Sequence, residues 1–164
     1  MSETVNPRAV ITMDCGEEIT LALYPEHAPL TVANFTKLAN EGFYDGLSFH
    51  RCVEGFVIQG GSPDDSCEGD GGFTIPGEFS ENGVPNPLTH ARGAISMARA
   101  DDPNSAGCQF FITHRDAHRL DGKYAAFGRV TEGIEAVDRI ASAPTHSPNN
   151  TPDIRQGIKT IRVS

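Results

Sequence analysis

The chain has 164 residues, of which 38% are hydrophobic and 21% charged, with 17 Gly, 11 Pro and no Trp; this fits one globular domain over residues 1–164 and excludes disorder of the whole chain. Thirteen Lys and Arg against 22 Asp and Glu give a net charge of -9, the wrong sign for gripping phosphate backbones or anionic lipid, so neither nucleic acid nor membrane is expected as a partner. Residues 1–8 carry no apolar signal-type run, and no stretch of about 18 apolar residues follows, which predicts a soluble, cytoplasmic protein.

Residues 9–13 and 19–24 are β-branched or alternating runs around the turn-like Asp14-Cys15-Gly16-Glu17-Glu18, and they predict an opening β-hairpin. Pro29 suits the first turn of a helix over 29–40, in which Val32, Phe35 and Ala39 recur at helical spacing and Gly42 is placed for a left-handed cap. Residues 47–53 and 56–59 are strand-like, and the Gly-rich stretch 60–77 reads as a surface loop. Further strands are predicted at 93–98, 109–113 and 126–130, then a second helix over about 132–142 with Thr131 as its cap. A Pro/Asn/Ser loop at 143–153 leads into a terminal strand at 154–163. Strands separated by Gly/Pro turns, without regular strand-helix alternation, predict an antiparallel barrel or sandwich.

Most chemical motifs fail on inspection. Gly69-Asp70-Gly71-Gly72 is not followed by Gly-Lys-Ser/Thr, so it reads as a turn and not a phosphate cradle. His114 and His118 have the i, i+4 spacing of a zinc pair, but no Glu follows the first and the flank is strand-like, so no metal is expected. Ser96, Ser105 and Asp121 lie near histidines without a Gly-x-Ser-x-Gly elbow, which argues against a hydrolase. Cys15, Cys52, Cys67 and Cys108 form no Cys-x-x-Cys pair and read as reduced thiols, with Cys52 packed in a strand.

Three segments combine aromatic and polar residues: Phe49-His50-Arg51-Cys52-Val53 with Phe56-Val57-Ile58-Gln59; Ser96-Met97-Ala98-Arg99 with Gln109-Phe110-Phe111-Ile112; and Leu120-Asp121-Gly122-Lys123-Tyr124 with Phe127-Gly128. Strand alternation puts Arg51 with Val53 on one face, Val57 with Gln59, and Gln109 with Phe111, leaving Cys52, Ile58, Phe110 and Ile112 for the interior. An Arg, two Gln and an apolar set then make a shallow outer groove holding one cation. The competing view makes Arg51 and Gln59 ordinary solvated surface residues.

On these motifs, together with Phe73-Thr74-Ile75-Pro76-Gly77-Glu78-Phe79 and Ala33-Asn34-Phe35, the sequence closely resembles the cyclophilins, peptidyl-prolyl cis/trans isomerases, over roughly residues 9–163. The resemblance implies a mainly-β fold, an eight-stranded antiparallel closed β-barrel capped by two α-helices. It implies an enzyme that turns X-Pro bonds in peptides and folding protein clients, with no cofactor. It further implies that Phe56, Val57, Phe111 and Leu120 form the apolar pocket for the proline ring, while Ala98, Arg99 and Gln109 line the peptide groove. Tyr124 stands where the family often has a rim His, and Arg99 replaces a frequent Asn. Arg119 stands where many eukaryotic members have a Trp that contacts cyclosporin, so only weak binding of that drug is expected.

An X-Pro bond turns slowly because rotation breaks amide resonance, a barrier of ~18–20 kcal/mol. At the twisted geometry the prolyl nitrogen gains a basic lone pair, so a fixed guanidinium aimed at it binds the transition state better than the planar ground state. Arg51 is the candidate donor, held by Gln59 on the adjoining strand. The expected catalytic set is thus Arg51, Gln59 and Phe56, with Val57, Ala98, Arg99, Gln109, Phe111, Leu120 and Tyr124 contacting substrate. His50 is grouped with them as the neighbour of Arg51, although alternation turns it from the groove toward a structural hydrogen-bonding role. The acidic run Asp64, Asp65, Glu68 and Asp70 is expected to flank the groove and favour a basic residue ahead of the proline. Two rival readings remain: a proline-peptide binding or chaperone module on the same scaffold, and a small-ligand barrel, which an apolar-filled interior excludes. A monomer is the default, since no exposed apolar stripe argues otherwise.

Overall fold

Alternation does most of the work in the first hairpin: Arg8–Met13 forms β1 and Glu18–Leu23 forms β2, burying Ala9, Ile11, Met13, Ile19, Leu21 and Leu23 on one side. Gly16 turns the chain between them at φ +96, a backbone that L side chains rarely adopt. The structure, a computed structural model, describes residues 6–66 and 71–164. The expectations resting on residues 1–5 and on Cys67, Glu68, Gly69 and Asp70 lie outside the described residues.

Helix α1 spans Pro29–Asn40, with the proline in its first turn and Thr31, Val32, Phe35, Leu38 and Ala39 on the buried face. No side chain caps it at Ala28; instead the buried Glu78 carboxylate receives the Thr31 N–H at 2.6 Å and the Thr31 hydroxyl at 2.7 Å. That places a negative group at the positive end of the helix. At the other end Gly42 has φ +82 and the Phe43 N–H returns to the Leu38 carbonyl, as the sequence predicts for a left-handed stop.

Strands β3 (Phe49–Val53), β4 (Val57–Gly60), β5 (Ala94–Met97), β6 (Phe110–Thr113), β7 (Ala126–Glu132) and β10 (Ile158–Val163) complete one sheet with β1 and β2. All pairs are antiparallel, in the order β10-β1-β2-β7-β5-β6-β4-β3. The sheet curls around Phe35, Phe49, Phe110, Phe127 and the aliphatic side chains packed on them, whose rings meet edge-on or tilted at 5.2–5.9 Å. An interior filled in this way has no room for a small ligand, which disposes of the ligand-barrel reading.

Closure of the barrel is a correction to the sequence reading. The edge strands β3 and β10 share no ladder; a single bridge, Ser48 with Gly157, joins that side, supported by Phe49 N–H to the Gln156 carbonyl and Ile158 N–H to the Leu47 carbonyl. The sheet is therefore curled but open. The same detour explains why β10 starts at Ile158 and not at residue 154: residues 155–157 run across to β3 before the strand begins.

Helix α2 spans Ile134–Ala141, shorter than expected at both ends, and Thr131 does not cap it. Glu132 is still paired with Thr20 in the β2–β7 ladder, and the Thr131 hydroxyl donates to the Thr20 carbonyl. Gly133 makes the turn at φ +87, where an added Cβ would run into the Glu18 carbonyl oxygen. The loop at 143–153 holds a two-residue ladder, β8 (Thr145–His146) with β9 (Thr151–Pro152). Two single-turn 3-10 helices, Ser80–Asn82 and His118–Leu120, also escaped the sequence reading, being too short for any period to register. Among the described residues no helix is long and apolar enough to cross a membrane.

Candidate active site on the outer face of the sheet

Strand register assembles the site. Arg51 lies opposite Gln59, Gln59 opposite Phe111, and Phe111 opposite Ser96, so four residues from β3, β4, β6 and β5 form one row across the sheet. Their neighbours Cys52, Ile58, Phe110 and Ile112 point inward and are at most 2% exposed. Burial also pushes the Cys52 thiol up to about 12, so it is no nucleophile at neutral pH.

A cavity of about 230 Å³ opens over this row, lined by Arg51, Phe56, Val57, Gln59, Ala98, Arg99, Phe111, Leu120 and Tyr124. Its floor is apolar, with Val57 and Phe111 buried, and Leu120 and Phe56 form walls. The Arg51 guanidinium lines this cavity beside Gln59. It donates to Gln59 Oε1 at 3.3 Å, Gln59 Nε2 donates to Gln109 Oε1 at 2.8 Å, and Gln109 Nε2 reaches the Ser66 carbonyl at 3.4 Å. Each amide in this relay accepts on one side and donates on the other, which fixes both orientations. Gln109 thus stands behind Gln59 and supports it without lining the cavity.

His50 is likewise outside the lining. The register shifts between Phe49 and Arg51, so the chain bulges at His50 and the alternation is broken: Phe49 and His50 are both buried. Neither ring nitrogen makes a well-formed hydrogen bond among the described residues. Burial lowers its pKa, against the opposing charge of Asp65 and the polarity of the nearby Gln109 side chain.

Behind Phe111 lies an arrangement that sequence reasoning missed. His90 stacks on the Phe111 ring at 5.9 Å and 19°, while Tyr124 meets the same ring edge-on at 5.7 Å. His90 Nδ1 lies 2.9 Å from Asp121 Oδ1, and its Nε2 lies 3.0 Å from the Ser96 hydroxyl. The Ser-His-Asp line has hydrolase-like connectivity, but Ser96 and His90 are both wholly buried. No substrate reaches that hydroxyl; the line is a brace for Phe111. Burial lowers the His90 pKa, against the opposing hydrogen bond and charge of Asp121. Residues 31 apart in sequence leave no local signal, so spacing could not have found the pair.

The rim is cationic. Arg99 donates twice to the Lys123 carbonyl, at 2.8 and 3.0 Å, and once each to those of Ala100 and Asp101, with its guanidinium 4.7 Å from the Tyr124 centroid. The Arg119 guanidinium carbon lies over the Phe56 ring, 4.4 Å from its centroid. Of the acidic run, Asp64 and Asp65 are turned to partners other than the cavity, while Glu68 and Asp70 lie outside the described residues. The Ser62 and Ser66 hydroxyls occupy Asp64 Oδ1, and Asp65 pairs with Arg155 and Ser48. His114 and His118 do not converge on a metal: His114 accepts the Gly55 N–H and approaches Asp138, while His118 pairs with Asp121.

A larger hollow of about 310 Å³ lies elsewhere, beside Tyr24, His27, Arg92 and Arg129. Its Arg92 guanidinium is already bound by Asp138 through two hydrogen bonds, and it has no apolar floor of rings, so the smaller cavity is the better candidate.

Comparison with known proteins agrees with this geometry. Residues 9–163 match the family described as cyclophilin type peptidyl-prolyl cis-trans isomerase/CLD. The chain is 51% identical over 130 residues to peptidyl-prolyl cis-trans isomerase B of Bacillus subtilis, covering 79% of this chain and 87% of that protein. It is 41% identical over 145 residues to peptidyl-prolyl cis-trans isomerase ppi1 of Schizosaccharomyces pombe, covering 88% and 92%. Among solved structures, a Cryptosporidium parvum cyclophilin type peptidyl-prolyl cis-trans isomerase in the presence of the dipeptide Ala-Pro superposes with a TM-score of 0.86 at 30% identity, covering 96% and 98% of the two chains. With nearly its whole length matched, this chain belongs to the cyclophilin-type peptidyl-prolyl cis-trans isomerases.

Proposed function

We propose that this chain catalyses cis/trans rotation about X-Pro bonds without a covalent intermediate, in the cavity over Phe111, with Arg51 as the group that stabilises the twisted amide. The observation that carries this reading is a guanidinium held by Gln59 at the edge of an apolar floor, its other N–H groups uncommitted among the described residues. The proline ring rests on Val57 and Phe111 between Phe56 and Leu120, and the chain on either side runs past Ala98, Arg99 and Tyr124. Twisting the amide localises the lone pair on the prolyl nitrogen, and Arg51 hydrogen-bonds it there but not in the planar ground state. The apolar walls exclude water and so raise the worth of that contact. An acceleration of about 10⁵ requires about 7 kcal/mol, within reach of a few preorganised contacts of this kind.

Gln59 and Gln109 are positioning residues in this scheme, and His50 is a structural one. The substrates are proline-containing peptides and folding protein clients. We read the chain as a single-domain monomer, and its free thiols at Cys15 and Cys52 suit the reducing cytoplasm. Cyclosporin binds weakly, since Arg119 covers the Phe56 ring at the place where many eukaryotic members carry Trp.

The test is the cis/trans exchange rate of an Ala-Pro-Phe peptide by NMR, wild type beside Arg51→Ala, with folding checked by circular dichroism. Wild type accelerates exchange and the folded variant loses tenfold or more. Peptide binding without exchange in wild type would identify a recognition module instead and overturn the enzyme reading.

A further inference from the structure

The chain as a whole is acidic, with a net charge of -9, yet the charged residues lining the cavity are Arg51 and Arg99, and Arg119 lies on its Phe56 wall. Among the described residues no carboxylate lines it. Asp121, next in sequence to Leu120, turns its oxygens to His90 and His118, and Asp64 and Asp65 are held by serines and Arg155. The site is therefore a cationic spot on an anionic surface, and a local field of that sign attracts anions and repels cations.

The three arginines are not equivalent. Arg99 gives its donors to backbone carbonyls of residues 100, 101 and 123, and Arg51 is tied to Gln59. Arg119 is exposed and makes no hydrogen bond or ion pair among the described residues; its one fixed contact is the face of Phe56. The cation–π contact restricts the guanidinium while leaving its N–H groups without another partner among the described residues, so less side-chain freedom is lost when a partner binds. A carboxylate is the complement of the guanidinium fork.

We infer that this isomerase prefers substrates carrying an acidic side chain beside the X-Pro bond, on the flank that passes Phe56, and that Arg119 is the residue that reads it. The inference rests on the cavity being the proline site. It is opposite in sign to the preference for basic residues drawn from the acidic loop, of which Asp64 and Asp65 are held by serines and Arg155.

The experiment uses peptides with Glu, Gln or Lys placed singly at the residue before the proline or at either of the two residues after it. For each, kcat/KM comes from NMR exchange and Kd from chemical-shift titration, in low salt and in 0.5 M NaCl. At one flank kcat/KM falls in the order Glu, Gln, Lys, with Glu about threefold above Gln and about tenfold above Lys at low salt, the size of a partly exposed ion pair, and high salt shrinks the differences. The readout is the ratio between peptides within one protein, so changes in overall turnover cancel. Arg119→Gln collapses the ratio, Arg119→Glu inverts it, and Arg119→Lys keeps its sign at reduced size. A flat series in wild type, or an order that survives in Arg119→Gln, overturns the inference. If wild type binds every peptide but accelerates none, the isomerase reading fails, while the Kd order still decides whether Arg119 reads the charge.

Discussion

Arg51 and Gln59 face each other across the β3–β4 ladder, and the guanidinium donates to the amide oxygen at 3.3 Å. The pairing gives catalysis a fixed direction: an arginine on a strand edge has many rotamers, and Gln59, itself held by Gln109, selects one of them. Gln59→Leu keeps the volume and removes both hydrogen bonds. One such bond is worth about 1 kcal/mol, so kcat falls about fivefold while the Kd for a proline peptide changes less. Pre-steady-state exchange by NMR separates the two quantities, and a variant with unchanged kcat would show that Gln59 does not position Arg51.

The cation on Phe56 gives a second prediction. A large apolar macrocycle must displace or bury the Arg119 guanidinium, whose carbon lies 4.4 Å from the ring centroid, and burying an arginine without an acidic partner is costly. Cyclosporin therefore binds this chain far more weakly than nanomolar. Titration calorimetry that gave a nanomolar Kd would refute this.

The residues that surround the cavity were legible because period-two alternation is a local rule: once 56–59 and 109–113 are strands, Gln59 and Phe111 must share a face opposite Ile58 and Phe110. Where that rule is broken, the sequence reading fails. The bulge at His50 puts two consecutive side chains into buried sites, a matter of pairing register that a single strand cannot express. The open edge between β3 and β10 and the late start of α2 likewise depend on which distant strand each segment meets. The brace of His90 on Asp121 and Ser96, and the partners that hold Asp64 (Ser62 and Ser66) and Asp65 (Ser48 and Arg155), are contacts between segments far apart in sequence or orientations of single side chains. Neither leaves a periodic trace.

Glu78 supplies the third prediction. Its carboxylate is 3% exposed and holds both the N–H and the hydroxyl of Thr31 at the start of α1. Glu78→Ala leaves a buried N–H and a buried hydroxyl without that acceptor and removes the negative group from the helix N-terminus, at about 1–3 kcal/mol. Because α1 packs Phe35 against Phe110 and Phe127, the loss registers in global unfolding by urea and not in helix fraying alone. A variant within 0.5 kcal/mol of wild type, on the order of an average surface substitution, would mean that water replaces the carboxylate at no cost.

The last prediction concerns pH. Burial holds His50, His90 and His114 below the ordinary histidine value, whereas in the unfolded chain they titrate near ~6.5. Between the lowered folded values and ~6.5 the unfolded state binds more protons, so unfolding free energy rises with pH across that window. The stabilisation is full above ~6.5 and is lost as pH falls toward the folded values. The aspartates act lower down: Arg92 holds Asp138, and Arg162 holds Asp45, below the usual carboxylate range, so their share is lost only as pH falls below ~4. Urea midpoints therefore fall between pH 7.5 and 5.5, as the unfolding free energy drops by at most about 1.4 kcal/mol per pH unit for each histidine, before any carboxylate contributes. His90→Gln reduces the slope by the His90 share, and because His90 braces Phe111 it lowers kcat/KM as well. A midpoint that stays level or rises on going to pH 5.5 would show that these rings are protonated in the folded protein.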